Sequence, residues 1–122
     1  KFRISKMKHN SDFKYDLDLG LLGEKLVLNL LTNKKIEVKT DYKALQTGNV
    51  FVEYFSRGKE SGISISQSDW YCFIISNDNI IFIKTQKLKD LCRKYLNTTK
   101  DVLGGDNNTS AGILLPLKEL LQ

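Results

Sequence analysis

Six apolar residues in a row, Trp70-Tyr71-Cys72-Phe73-Ile74-Ile75, leave this chain few ways to fold. The run is far shorter than the roughly 18 residues a membrane span needs. It also lacks the polar alternation of a strand with one wet face, so it reads as a strand buried on both sides. Asn77-Asp78-Asn79 then forms a tight turn, and Ile80–Lys84 is the returning strand. The remaining chain has to supply the cover. With 122 residues it is long enough for one domain and too short for two.

The flanking segments supply that cover. Asp16 to Leu31 carries Leu17, Leu21, Leu22, Leu26, Val27, Leu28, Leu30 and Leu31, which predicts a helix whose broad apolar face is mostly buried. Asp16 or Asp18 caps it, Gly20 and Gly23 fall in its first turns, and Asn33 ends it. Residues 35–41 read as a strand, and residues 42–49 as a connection ending in a Gly48-Asn49 turn. Val50–Phe55 alternates as a second strand and is expected to pair with the first as an antiparallel hairpin. Ser66 starts a short helix or turn before the apolar run. Thr85 caps a helix over residues 86–96, residues 97–110 are loop, Ile113–Leu117 is an edge strand broken by Pro116, and the chain closes on a helical turn. The expectation is an α+β fold: a central mixed sheet of about five strands flanked by helices. Residues 1–14 form a basic arm, with a short strand at Phe2–Ile4, and residues 15–122 form the single domain.

The formal net charge is +5, a modest basic bias that suits a polyanionic partner. The arm concentrates it, with five cations against Asp12. Cys72 and Cys92 lack CxxC spacing and there is one His, which argues against a zinc site. Both read as reduced core thiols of a cytoplasmic protein. No signal-peptide pattern and no membrane segment is visible.

The chemistry concentrates in Lys35-Ile36-Glu37-Val38-Lys39-Thr40-Asp41. Glu37, Lys39 and Asp41 share one face of this strand, opposite Ile36, Val38 and Thr40. On the next strand Glu53 has the parity to lie opposite or diagonal to Glu37, and two adjacent carboxylates repel unless a cation or proton sits between them. Magnesium takes one or two carboxylates plus water and phosphate oxygens. An adjacent lysine can position the attacking water or balance developing charge. Glu37 and Glu53 are the first metal ligands to consider, with Glu24 or Asp41 completing the shell and Lys39 as the catalytic cation. Arg57 and Lys59 in a Gly-containing loop, with Lys6 and Lys8 in the arm, are candidates for phosphate-backbone contact.

Glu37-Val38-Lys39, with Glu24 on the preceding helix in Gly23-Glu24-Lys25-Leu26-Val27, resembles the PD-(D/E)xK nuclease superfamily. The segments IEVKTD, TGNVFVEY, GKxSGI and SDWY make it similar to small phage-type Holliday junction resolvases of that superfamily, over roughly residues 16–85. The resemblance implies a restriction-endonuclease-like core and a homodimer that cuts branched DNA with Mg2+, or with Mn2+ in its place. One departure stands out. The family carries an acid at the start of a strand between the first helix and the E-x-K strand, and here only Thr32-Asn33-Lys34 occupies that gap. Either Glu53 or Asp41 takes its place, with Glu53 favoured by its strand parity. If neither does, the alternative is a nuclease fold that binds DNA as an accessory protein without cutting it. A third reading is a structural or partner-binding domain whose acids form a solvated face.

Overall fold

The computed structural model describes residues 10–122. They fall into two compact units, divided after Lys34.

The described residues of the first unit form one long helix, α1 (Asn10–Leu31). It begins six residues before the expected start, so residues 10–14 of the predicted arm are helical. The remainder of the arm, with Lys6, Lys8 and the expected strand at Phe2–Ile4, lies outside the described residues. Thr32 Oγ1 donates to the Leu28 carbonyl at 2.7 Å. Asn33 then takes the left-handed conformation, φ 51°, that stops the helix. Apolar residues surround α1 on every side, and a helix of that kind has no single face to bury. Leu17, Leu22, Leu26, Leu28 and Leu31 are exposed, while Leu30 is buried, in contrast to the mostly buried face expected.

The second unit, Lys35–Gln122, is an α+β body with a mixed sheet, a second sheet and flanking helices. Its seven strands divide three and four. In the first sheet β1 (Ile36–Thr40) runs parallel to β4 (Trp70–Ile74), which pairs antiparallel with β5 (Ile80–Lys84). The apolar run at Trp70–Ile75 is therefore the central strand, as its composition demands, and Asn79 closes the expected turn on Ile75 and Ser76. The second sheet is antiparallel, in the order β3 (Lys59–Glu60), β2 (Asn49–Ser56), β7 (Ser110–Pro116), β6 (Asp101–Gly104).

Three expectations change here. β1 and β2 do not form a hairpin, because they belong to different sheets. The short helix α2 (Ala44–Thr47) buries Ala44 completely and ends on Gly48, φ 78°, which redirects the chain from one sheet to the other. β7 is not an edge strand; it lies between β2 and β6, and Pro116 is tolerated because it is the last residue of the ladder. The stretch expected as loop includes β6, since Asp101–Gly104 pairs with β7 through the Gly105 turn.

One hydrophobic core joins both sheets of this unit. Val50 and Val52 of β2, Ile113 and Leu115 of β7, Tyr71 and Phe73 of β4 and Ile83 of β5 meet Leu88 and Cys92 of α3 (Thr85–Arg93). Both cysteines are free and buried, and burial pushes the Cys92 thiol up to about 12, which suits a packing role. Among the described residues no helix is long and apolar enough to cross a membrane.

Candidate active site

The sequence expectation of acids and a lysine gathered around β1 can be followed residue by residue within the second unit. The β1–β4 register sets Glu37 beside Tyr71 and Lys39 beside Phe73. Residues in register present their side chains to the same side of a sheet. Glu37, Lys39, Tyr71 and Phe73 therefore share one face. Asp41 follows one residue past β1, where its N–H donates to the Ile74 carbonyl at 2.9 Å and prolongs the ladder.

A cleft of about 290 Å³ opens on that face, lined by Lys39, Asp41, Glu53, Gly62, Tyr71 and Phe73, with Thr40, Phe51 and Val52. Both carboxylates in it are fixed by one oxygen. Asp41 Oδ2 accepts the Phe51 N–H at 3.1 Å, which ties the end of β1 to β2. Glu53 Oε2 accepts the Ser61 hydroxyl at 2.8 Å. Oδ1 of Asp41 and Oε1 of Glu53 have no protein hydrogen bond among the described residues. Carboxylates held by one oxygen with the other left open are how proteins orient ligands for a cation.

Local irregularity puts Glu53 there. The β2–β7 ladder slips between Glu53 and Phe55, so Tyr54 is an extra residue, a β-bulge that re-aims the strand at this point. Gly112 lies opposite Glu53, and the Phe51 ring fills the space a side chain at Gly112 would take. The chain then reverses tightly through Arg57 (φ 51°) and Gly58 (φ 80°), both left-handed. It returns along β3 to Ser61 and Gly62. A Cβ on Gly62 would stand 2.2 Å from the Glu53 carbonyl oxygen, so only glycine lets Ser61 come alongside.

The predicted residues are thus distributed as follows. Lys39, Asp41 and Glu53 line one cleft. Glu37 shares their strand face but does not line the cleft; its Oε2 lies 3.7 Å from Lys39 Nζ, a half-exposed pair of small energetic weight. The predicted juxtaposition of Glu37 with Glu53 across a hairpin is corrected, because β1 and β2 are not ladder partners; Asp41 is the acid that shares the cleft with Glu53. Glu24 is exposed midway along α1, in the first unit. Arg57 and Lys59 are exposed on the β2–β3 hairpin. Lys6 and Lys8 are outside the described residues.

Two contributors escaped sequence reading. In the sequence Ser61 is one residue of a polar, Gly-containing stretch and Tyr71 one member of an apolar run, and neither pattern marks a site. Tyr71 is 2% exposed. Burial raises its pKa, opposed by Ser66, with the Glu37 and Glu53 carboxylates raising it further. The parity of Tyr71 with Glu37 across the ladder is the signal that would have found it, once the parallel pairing of β1 with β4 was known.

The donor set suits a hard divalent cation. Two oriented carboxylates are the usual protein share of a Mg2+ shell, with water and phosphate oxygens completing it. Among the described residues no group of three or more His, Cys, Asp or Glu is gathered as a metal site, so any cation here would lean on those other oxygens. No family model, curated protein or solved structure matches this chain.

Proposed function

We infer that the protein is a magnesium-dependent endodeoxyribonuclease acting on branched DNA. The observation that carries this reading is the convergence of Asp41, Glu53 and Lys39 on one cleft, with each carboxylate anchored by a single oxygen. Asp41 and Glu53 would hold the cation. A bound Mg2+, or Mn2+ in its place, supplies Lewis acidity toward the phosphate and lowers the pKa of water. Lys39 would orient the attacking water and offset negative charge developing on the phosphate. Phe51, Val52 and Phe73 form the apolar part of the wall. Arg57 and Lys59 would contact the DNA backbone. The resemblance to junction resolvases supports the branched substrate, a homodimer and a role in the host-cell cytoplasm.

A second reading has an observation of its own. Among the described residues two acids line the cleft; on this reading the fold would bind DNA as an accessory protein and leave it intact. One experiment separates the two. Purified protein is incubated with a four-way junction and Mg2+, alongside Asp41→Asn, Glu53→Gln and Lys39→Ala. The nuclease reading expects cleavage that falls at least a hundredfold in each variant while junction binding persists. Binding without cleavage by the parent protein selects the accessory reading.

A further inference from the structure

The helical period divides the leucines of α1 between two sides. Leu17, Leu21, Leu28 and Leu31 share one side with Glu24. Tyr15, Leu19, Leu22 and Leu26 form a stripe on the other side that holds no charge, and all four are exposed. They follow one another at intervals of four, three and four residues, the spacing of the core positions where two helices pair along a seam. Large apolar side chains exposed in a line mark an interaction surface.

Charge at the edge of the stripe says what covers it. Asp18 and Lys25 flank the stripe on the same edge, one heptad apart. An antiparallel second copy of the helix sets Leu19 against Leu22 and Tyr15 against Leu26, and the two-fold axis makes each contact twice. In that register Asp18 of each copy comes beside Lys25 of the other, so two pairs of opposite charge form. A parallel copy would set Asp18 beside Gly23 and Lys25 beside Leu30, with no pair at all; edge charges of this kind fix the orientation of paired helices. Antiparallel packing also opposes the two helix dipoles favourably. Lys14 Nζ lies 3.5 Å from Asp18 Oδ2 within the helix, but both side chains are exposed, which leaves the carboxylate open to a second cation. On the opposite edge a Cβ at Gly23 would meet nothing within 4 Å, so the backbones can approach there. We propose that α1 pairs antiparallel with α1 of a second copy of this chain, through Tyr15, Leu19, Leu22 and Leu26, with Asp18 of each copy held by Lys25 of the other. This rests on the homodimer of the proposed function for the number of copies, and it names the surface. The seam is short, so the dimer is weak and depends on concentration.

Sedimentation equilibrium of the full chain at low salt, up to about 200 µM, reads the pairing. The parent is expected to be a reversible dimer. Leu22→Gln weakens it about tenfold or more, while Leu28→Gln, the same change on the other side of the helix, stays within about threefold. Asp18→Lys and Lys25→Asp each weaken self-association about fivefold or more, because both edge pairs become repulsive. An equimolar mixture of those two variants returns to within about threefold of the parent, since each supplies the charge the other lacks. Circular dichroism checks that each variant keeps its helix, and the mixture carries the test should Leu22→Gln lose it. A monomeric parent overturns the proposal and the homodimer together. A dimer that Leu22→Gln or the charge reversals leave intact, that Leu28→Gln weakens equally, or that the mixture does not restore, overturns the α1 seam and leaves the homodimer standing on another surface.

Discussion

Gly62 shows how little freedom the candidate site has at the level of single residues. Its φ of 52° is left-handed, and a Cβ there would meet the Glu53 carbonyl oxygen at 2.2 Å. Backbone cannot move aside as a flexible side chain can, so the strand holding Glu53 must shift. Gly62→Ala is expected to destabilise the protein by on the order of 1–3 kcal/mol through strain. It should also weaken Mn2+ binding, since Ser61 would no longer reach Glu53 Oε2. Gly58→Ala is the control: φ is 80° but nothing lies within 4 Å of its Cβ, so its cost is conformational, about 1 kcal/mol, with Mn2+ affinity retained. Urea unfolding and calorimetry on both variants read the two effects separately. Equal losses in both would mean that the contact with Glu53 is unimportant. At this scale the sequence was informative about residue types: acids and a lysine on alternate positions of one strand do face one way. It was silent on Ser61 and Tyr71, because their roles come from neighbours that are distant along the chain.

Among whole elements, pairing decided what could be read in advance. β4 and β5 were legible because a continuous apolar run, a three-residue polar turn and a second apolar run leave one arrangement. β2 was legible as a strand but not as the partner of β7, since register between distant strands depends on packing and not on local pattern. β6 was lost because Asp101–Gly104 is short and sits among Asn, Thr and Gly. The C-terminal 3-10 turn, Leu117–Leu121, was expected, but its attachment was not. Glu119 accepts the Tyr95 hydroxyl at 2.6 Å and the Lys94 ammonium at 3.1 Å, clasping the turn to the end of α3. The Tyr95 bond first, then the Lys94 bond, holds the Glu119 carboxyl below the usual carboxylate range. Its folded pKa thus lies under its unfolded one. The stabilisation is full above the unfolded value and is lost as pH falls through the folded value, below about pH 4. Glu119→Gln should lower stability at pH 7, and the gap to the parent should narrow as the pH is taken down to 3. Urea midpoints across that range give the answer, and a gap constant with pH would show that ionisation of Glu119 contributes nothing.

For the molecule as a whole, the division after Lys34 separates two kinds of stabilisation. Among the described residues, those of the shared hydrophobic core lie between Ala44 and Leu120, and those lining the candidate cleft lie between Lys39 and Phe73. A chain starting at Lys35 therefore keeps the complete core and both anchored carboxylates. At 88 residues (122 less the first 34) it is above the size at which a single core commonly fails to support a fold. It is expected to unfold cooperatively and to bind Mn2+ within about threefold of the full chain, a range that would leave the site's geometry essentially intact. The sequence expectation for Glu24 makes the complementary prediction. If its carboxylate takes part in the reaction, the shortened chain loses junction cleavage while keeping Mn2+ affinity, and Glu24→Gln in the full chain reproduces that loss. Cleavage retained by both would confine the chemistry to the Lys39, Asp41 and Glu53 cleft. Loss of Mn2+ binding in the shortened chain, with its fold intact by circular dichroism, would instead mean that the two carboxylates of the second unit are too few to hold the cation.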